Sequence, residues 1–297
     1  MRQVSVLTID EYEFLQQAVD YLERPSFLIK AANLIGRPAE VILEALPARA
    51  QKIIGEATAG ALRSALETAV RSLPRSTALT VAAQDGGPVR SSASRHLHTA
   101  MTATTGALGG MFGLAGIAIE VPATTTLMLR SIAAIAAENG ADLADPEVRL
   151  QCLSVFSFGS PSLEKMESAY FSGRVGLALA VRDAAAFLAA HTGRELTEAI
   201  SKGTAPVLVR LLNQIASRFQ LVVSQKFALQ AVPIAGAATG ALINAAFTDH
   251  FNNVARFHFG IVRLERIYGK KTVEAAYDEA RRVRFERAGA STQDKTE

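Results

Sequence analysis

Apolar residues recur every three or four positions along most of the chain, the spacing that places side chains on one face of an α-helix. No stretch alternates apolar and polar residues between hairpin turns, which is the pattern of a β-strand. We therefore predict an all-α protein, a multi-helix bundle. A long apolar helix runs from about Ser91 to Ala137 and is kinked or broken at Pro122. The later predicted helices cover residues 146–158, 163–190, 194–203, 205–230 and 234–268.

Short signals mark where several of these helices begin and end. Asp10 is placed to cap a first helix through the segment EYEFLQQAVDYLER. Gly140 follows the last apolar residue of one helix, and Asp145 with Pro146 then starts the next. This order is typical of a helix C-terminus followed by a new N-terminus.

The largest change in composition lies in the loop RSLPRSTALTVAAQDGGPVRSS, which is rich in Pro, Gly and Ser. We predict a boundary there, between an N-terminal helical arm over residues 1–85 and a helical core over residues 90–270. Gly269 ends the core. Residues 271–297 then form a C-terminal basic amphipathic helix and a polar tail.

The segment GALGGMFGLAGIAIEVP contains five glycines and carries no charge before Glu120. At 100° per residue, Gly109, Gly113 and Gly116 share a helix face with Glu120. A phosphate-binding loop of the Walker type would need a preceding strand and a following Lys with Ser or Thr, and both are absent. A face without side chains instead allows another helix to approach closely.

A weaker version of this face follows in AVPIAGAATGALINAAFTDH, where Gly236 and Gly240 share a side that also carries His250. The uncharged stretches over residues 99–119 and 227–248 are each as long as a membrane span. They contain more Ala, Gly and Thr than Leu, Ile and Phe, so insertion is marginal. The sequence favours a central, buried, Gly-rich apolar helix pair in a soluble or peripheral protein. An inserted or re-entrant hairpin is the alternative.

The composition supports helices and narrows the range of partners. Aromatic residues make up 6% of the chain and Trp is absent, whereas strands favour aromatic and β-branched residues. The net charge of +3 and the pI of about 9.1 are too modest to indicate nucleic acid. They suit a surface near anionic lipid headgroups. The N-terminus lacks the apolar region of a signal peptide, so we expect a cytoplasmic protein, free or peripheral at the inner membrane.

Glu120 is the strongest single candidate for function, because an isolated buried carboxylate must find a cation, take up a proton or reach water. The cations inside the neighbouring apolar helices are Arg130, Arg210, Arg218 and Lys226. Three roles stay open for Glu120. It forms a structural ion pair between two helices, it binds a ligand or takes part in catalysis, or it lies at an exposed helix end.

His250 lies on an apolar helix face, where either a hydrogen-bonded core residue or a functional histidine fits. Asp249, Asn253 and Arg256 lie on the opposite side. They form either a solvated face or a site for a headgroup or partner.

Neither a metal site nor a standard hydrolase motif is present in the sequence. His96 and His98 have HxH spacing, but no further ligand follows at a metal-like interval, so no metal or cofactor is expected. The single Cys152 excludes an internal disulfide. Because GxSxG and HExxH are absent, a hydrolase would have to use a non-standard site such as Glu120 with His250.

Three segments together resemble the EcsC family: TTGALGGMFGLAGIAIEVPATTTLMLRSIAAIA, SRFQLVVSQKFALQAVPIAGAATGALIN and ALINAAFTDHFNNVARFHFGIVRLERIYG. The resemblance covers residues 90–270. The family is bacterial, takes its name from an ABC-exporter operon and has no settled biochemical activity. The resemblance therefore implies a cytoplasmic, membrane-associated helical protein and carries over no catalytic residue.

These features predict a helical protein that binds an apolar or lipid-like ligand, or a membrane-embedded partner, at the predicted helix pair. The expected partner is a membrane surface or a membrane protein, not nucleic acid. The alternatives are a hydrolase with a Glu/His site and a soluble scaffold whose glycines only permit packing. The candidate polar residues are Glu120, Arg130, Arg218, Lys226, Asp249, His250 and Arg256.

Overall fold

The computed structural model describes residues 6–23, 27, 48–71, 114–158, 169–231 and 237–293. Within these ranges the chain forms nine helices and no strand, which confirms the all-α fold class. The helices are α1 (Ile9–Leu22), α2 (Ala48–Arg71), α3 (Leu114–Glu138), α4 (Pro146–Phe158), α5 (Ala169–Ala190), α6 (Gly193–Lys202), α7 (Pro206–Ala231), α8 (Ala237–Tyr268) and α9 (Lys270–Gln293).

The turn between α3 and α4 forms as the sequence predicts. Gly140 has a φ of 74°, a left-handed conformation that glycine adopts without a steric penalty. Asp145 then accepts a hydrogen bond from the Glu147 backbone N–H at 2.8 Å, and α4 begins at Pro146. The chain therefore ends one helix and starts the next with the signals that its sequence carries.

Two predicted helix ends are wrong. Thr8, and not Asp10, caps α1, because the helix already begins at Ile9. The Thr8 hydroxyl accepts from the Glu11 N–H at 3.3 Å, and the Glu11 carboxylate accepts from the Thr8 N–H at 2.9 Å, a reciprocal capping box. At the other end of the chain, α9 continues to Gln293, into the segment predicted as a polar tail, because no proline stops it.

The helix α3 runs through Pro122 without a break. Proline has no N–H, so the carbonyl four residues earlier, at Ala118, has no intrahelical partner from this position. Ala118 is exposed, so water can reach this turn. Of the two alternatives for Pro122, a broken helix is therefore wrong.

Four helices, α2, α3, α7 and α8, form the centre of the molecule. Both α3 and α7 pack along α2 and along α8, whereas α3 and α7 have little direct contact with each other. They therefore occupy opposite corners of a four-helix group. The contact between α3 and α8 is the predicted central helix pair. Around this group, α1 packs against α9 and α8, α5 packs against α4 and α7, and α6 packs against α2.

Several predicted features lie outside the described residues. These are the boundary between residues 85 and 90 and the packing glycines Gly109, Gly113 and Gly236. Gly116 is buried in the first turn of α3, and Gly240 is half-buried in the first turn of α8.

The tightest helix contact at a described glycine occurs at Gly260 of α8, which the sequence analysis did not single out. A Cβ atom built there would lie 2.2 Å from Cζ of Phe14 in α1. Gly260 therefore lets the aromatic ring of α1 reach the backbone of α8.

One helix in the described part of the chain is long and apolar enough to cross a membrane. It covers Gly116–Glu138 of α3, with a mean hydropathy of 1.2 and 56% of that window buried inside the protein. A buried core helix of a soluble protein passes the same test. The second predicted span-length stretch, residues 227–248, is divided between the end of α7 and the start of α8.

Candidate functional site

Glu120 forms a buried ion pair with Lys226. Glu120 lies in the second turn of α3, and Lys226 lies near the end of α7, at opposite corners of the four-helix group. The Lys226 ammonium donates a hydrogen bond to Oε1 of Glu120. The two residues are only 4% and 1% exposed. The pair therefore crosses the interior of the bundle and joins the two helices that do not pack directly on each other.

Aromatic rings surround the ammonium group of Lys226. Its Nζ lies 4.9 Å from the ring centroid of Phe227 and 5.2 Å from that of Phe247, distances typical of cation–π contacts. Burial lowers the pKa of Lys226 below its ordinary value, and the Glu120 carboxylate opposes part of this effect. The lysine is thus a charge held out of water by one carboxylate and two ring faces.

Three of the four central helices contribute further polar residues to their shared interior. They are Thr58 of α2, Thr124 and Thr125 of α3, and Asn244, Thr248 and Asn252 of α8, all buried. Thr124 follows Glu120 by one turn, and Gln230 follows Lys226 by one turn, so each shares a helix face with a member of the ion pair. We call Glu120, Thr124, Lys226, Gln230, Asn244 and Thr248 the polar layer.

Oγ1 of Thr124 and Nε2 of Gln230 lack a hydrogen bond within the part of the chain that the structure describes, and both atoms are inaccessible to solvent. A buried polar atom without a partner costs about 1–3 kcal/mol. Such atoms are uncommon in folded proteins and mark places where a bound molecule could supply the missing partner.

Exposed apolar side chains border the polar layer on the same three helices. Ile119, next to Glu120, is 76% exposed, Leu221 of α7 is 52% exposed, and Leu242 of α8 is 54% exposed. Each lies within about two helical turns of a polar-layer residue on its own helix. This end of the bundle therefore combines a charged interior with an apolar exterior. We call it the apolar end.

His250 is buried beside α1, where it contacts Tyr21 and not Glu120. Its Nδ1 lies 3.1 Å from the hydroxyl of Tyr21, and its ring packs near Phe27 and Phe251. Burial, with the nearby Asp249 charge, raises the pKa of Tyr21, so the phenol stays protonated. The structure therefore gives His250 the contacts of a hydrogen-bonded core histidine.

The remaining predicted polar residues lie nearer the surface. Asp249 accepts from the Asn253 side chain at 2.9 Å. Arg256 reaches Gln17 of α1 at 3.4 Å and lies over the ring of Phe257. The Asp249 contact lies within α8, whereas the Arg256 contact attaches the polar side of α8 to α1.

Of the cations proposed as partners for Glu120, the structure selects Lys226. Arg130, Arg210 and Arg218 are exposed. The guanidinium of Arg218 instead lies over Gly173 of α5, where an added Cβ would be 2.9 Å from its Nη1.

A second buried polar cluster, which the sequence analysis missed, joins α5 to the far end of α8. Arg174 donates two hydrogen bonds to the Glu265 carboxylate, both at 2.8 Å. The hydroxyl of Tyr170 lies 2.8 Å from Nδ1 of His258. Burial lowers the pKa of His258 well below its ordinary value, and the Arg174 charge adds to this effect. The spacing of these residues could have indicated the cluster. Arg174 follows Tyr170 by four positions and Glu265 follows His258 by seven, so each pair lies on one helix face.

The described residues contain no group of three or more His, Cys, Asp or Glu side chains arranged to hold a metal ion. Cys152 is buried in α4, and burial raises the pKa of its thiol to about 12. A thiol with so high a pKa is a poor nucleophile at neutral pH.

The basic residues near the C-terminus have acidic partners. Arg282 pairs with Glu279 at 2.6 Å, and Arg281 approaches Asp278 at 3.8 Å. Arg284 pairs with Asp20 of α1. The Arg284–Asp20 pair attaches α9 to α1, and the three pairs together neutralise much of the predicted basic face.

The chain matches the model of the EcsC protein family over residues 12–264. The match reaches further toward the N-terminus than the segments that carry the resemblance in the sequence, and it includes Glu120, Lys226 and His250. No curated protein and no solved structure matches the chain.

Proposed function

The chain belongs to the EcsC protein family, and we propose that it binds a lipid-like molecule at a membrane surface. The binding region is the apolar end, where α3 and α8 begin and α7 ends. The observation that carries this proposal is the buried Glu120–Lys226 pair beside exposed apolar side chains. The molecule that fits has an apolar chain and a polar group.

The apolar side chains supply the driving force for association. Burying one fully exposed isoleucine or leucine contributes roughly 1.5–3 kcal/mol. Ile119, Leu221 and Leu242 project from three different helices, and each offers apolar area that a hydrocarbon surface would cover. Attachment of this kind depends little on salt, because no exposed charge contributes to it.

The polar layer supplies orientation. Ligand sites typically combine an apolar lining with a few placed polar groups. The hydroxyl of Thr124 and the amide nitrogen of Gln230 have no partner in the described part of the chain, and a polar group of the ligand would satisfy them. Glu120 and Lys226 cancel each other's charge, so this end binds without leaving an isolated charge in an apolar environment.

Vesicle flotation tests the proposal. The wild-type protein is mixed with phosphatidylcholine vesicles at low and at high salt, and the bound fraction is measured after centrifugation. We expect binding that does not depend on salt. It should fall about tenfold or more in Ile119→Asn, because this variant has no isoleucine side chain to bury in the bilayer.

The matched control is Ile267→Asn. Ile267 is 55% exposed, but it lies near the opposite end of α8, roughly 37 Å along the helix from Leu242. This variant should bind as the wild type does. Equal loss in both variants, or no binding by the wild type, would contradict the proposal.

A further inference from the structure

We infer that a groove between the ends of α2, α5 and α6 binds a phosphate group. The groove has a volume of about 760 Å³, which is within the range of small-molecule sites. Its basic lining residues are Arg71, Arg149, Arg194 and His191. It shares no residue with the apolar end, so the inference stands independently of the proposed function.

Arg149 builds the floor of the groove. This buried residue of α4 donates to the carbonyls of Ala69 and Val70 at 3.5 and 3.2 Å, and to that of Ala144 at 3.4 Å. The first two carbonyls belong to the last turn of α2. A helix C-terminus normally repels anions. Here the guanidinium engages its carbonyls and adds a positive charge.

His191 likewise donates a hydrogen bond to a carbonyl in the last turn of α5. Its Nδ1 lies 2.8 Å from the carbonyl oxygen of Phe187, and its ring stacks on the Phe187 ring at 3.9 Å. A carbonyl only accepts, so Nδ1 carries the proton. Both helix C-termini that border the groove therefore have a side-chain donor on a terminal carbonyl.

Arg71 and Arg194 supply the binding charges. Both are exposed, and neither has an ion-pair partner within the described residues. The one acidic residue that lines the groove, Glu198, is paired with Lys202 at 2.5 Å. Two guanidinium groups thus face the groove without a carboxylate of their own.

Guanidinium groups favour phosphate among anions. The planar fork of arginine donates two parallel hydrogen bonds to phosphate oxygens, whereas chloride offers no such pair of acceptors. The Glu195 carboxylate accepts from the Thr192 N–H at 2.8 Å and places a negative charge at the N-terminus of α6, so the arginines and not the helix end would hold the ligand. The phosphate could come from a soluble phosphate compound or from a lipid headgroup.

Two binding measurements at about 0.15 M salt test the inference and separate its two sources. Inorganic pyrophosphate is titrated into the protein in a calorimeter, and flotation is measured with phosphatidylcholine vesicles with and without phosphatidic acid. Arg71→Gln/Arg194→Gln is the test variant. Both changed residues are exposed, so the fold should persist. Arg210→Gln, an exposed arginine of α7 outside the groove, is the control.

We expect binding of at least one probe, weakened about tenfold or more in the double variant and unchanged in the control. Pyrophosphate binding supports the inference with a soluble phosphate as the source. Binding that requires phosphatidic acid and is lost in the double variant supports it with a headgroup as the source. The inference would be overturned if the wild-type protein bound neither probe, if binding persisted in the double variant, or if Arg210→Gln lost as much binding as the double variant.

Discussion

The Glu120–Lys226 pair and the Arg174–Glu265 pair are both buried between helices, but their surroundings differ. Arg174 binds Glu265 through two hydrogen bonds and lies over the rings of Tyr170 and Phe171. Lys226 makes one hydrogen bond to Glu120, and unpartnered polar atoms lie one turn away on the same helices. Roughly 27 Å along α8 separates Phe247, which contacts Lys226, from Glu265.

The difference indicates which pair holds the fold and which belongs to a site. A bidentate arginine pair has fixed geometry and keeps its charge at all accessible pH values. A buried lysine can lose its proton, so its charge depends on its partner. Buried ion pairs add little net stability compared with apolar residues. The Glu120–Lys226 pair, one turn from unpartnered polar atoms, is therefore the stronger candidate for the proposed binding region.

The largest effect is expected from Glu265→Gln. The change leaves the Arg174 guanidinium without its carboxylate, and breaking a buried pair in this way costs about 3–5 kcal/mol. Because arginine cannot release its proton, the loss should be the same at pH 7 and pH 9. Urea unfolding followed by circular dichroism measures it. A loss below about 1 kcal/mol would mean that water already screens this pair.

Glu120→Gln should lower the free energy of unfolding at pH 7 by about as much as Glu265→Gln does, and by less at higher pH. Without the carboxylate, the folded-state pKa of Lys226 falls further below the unfolded value of about 10.4. The unfolded state then binds more protons, so stability rises with pH by about 1.36 kcal/mol per unit. Unfolding curves for wild type and variant at pH 7, 8 and 9 check this. A pH-independent difference would contradict the assigned role of Lys226.

Low pH should reduce the stability of the fold through His258, in the cluster with Tyr170, Arg174 and Glu265. Its pKa is lowered in the folded state, so the unfolded state takes up a proton first as the pH falls below about 6.5. Stability is therefore lost with falling pH, by up to about 1.36 kcal/mol per unit from this one group. Tyr170 contacts His258 directly and the Arg174 charge acts on it, while Glu265 is paired with Arg174 and Tyr277 packs near Tyr170. In His258→Gln the dependence between pH 6.5 and 5.5 should be shallower, and an unchanged slope would exclude His258 as its source.

The smallest effect is expected at the C-terminal helix. Arg282 is exposed and already paired with Glu279, so Arg282→Gln should leave the unfolding midpoint unchanged. Binding to anionic vesicles should also stay unchanged, because this charge is already matched. A marked loss of vesicle binding would show that α9, and not the apolar end, attaches the protein to the membrane.

Much of the fold follows from local sequence signals. The helices α4, α6 and α7 were predicted to within one residue at each end, and α5 and α8 end at the predicted residues, because their apolar periodicity and their Gly, Pro and Asp stops are local. The cap of α1 was misplaced because Thr8 and Asp10 are both good capping residues, and the helix start decides between them.

The sites depended on long-range geometry and were harder to predict. The sequence reduced the partners of Glu120 to four cations, but the choice of Lys226 depends on which helices share an interior. Arg174 and Glu265 are 91 residues apart, and each alone looks like a residue on a solvated face. The phosphate groove is built from the ends of three helices, where no single segment carries a motif.

Native mass spectrometry of Glu120→Leu/Lys226→Met tests the central claim most directly. Replacing a buried ion pair by apolar residues of similar size is often neutral or stabilising by about 1–4 kcal/mol, so the bundle should stay folded. We expect the wild-type protein to carry an amphipathic molecule through purification and the double variant to lack it. An equal amount of the same molecule on the folded double variant, or none on the wild type, would contradict it.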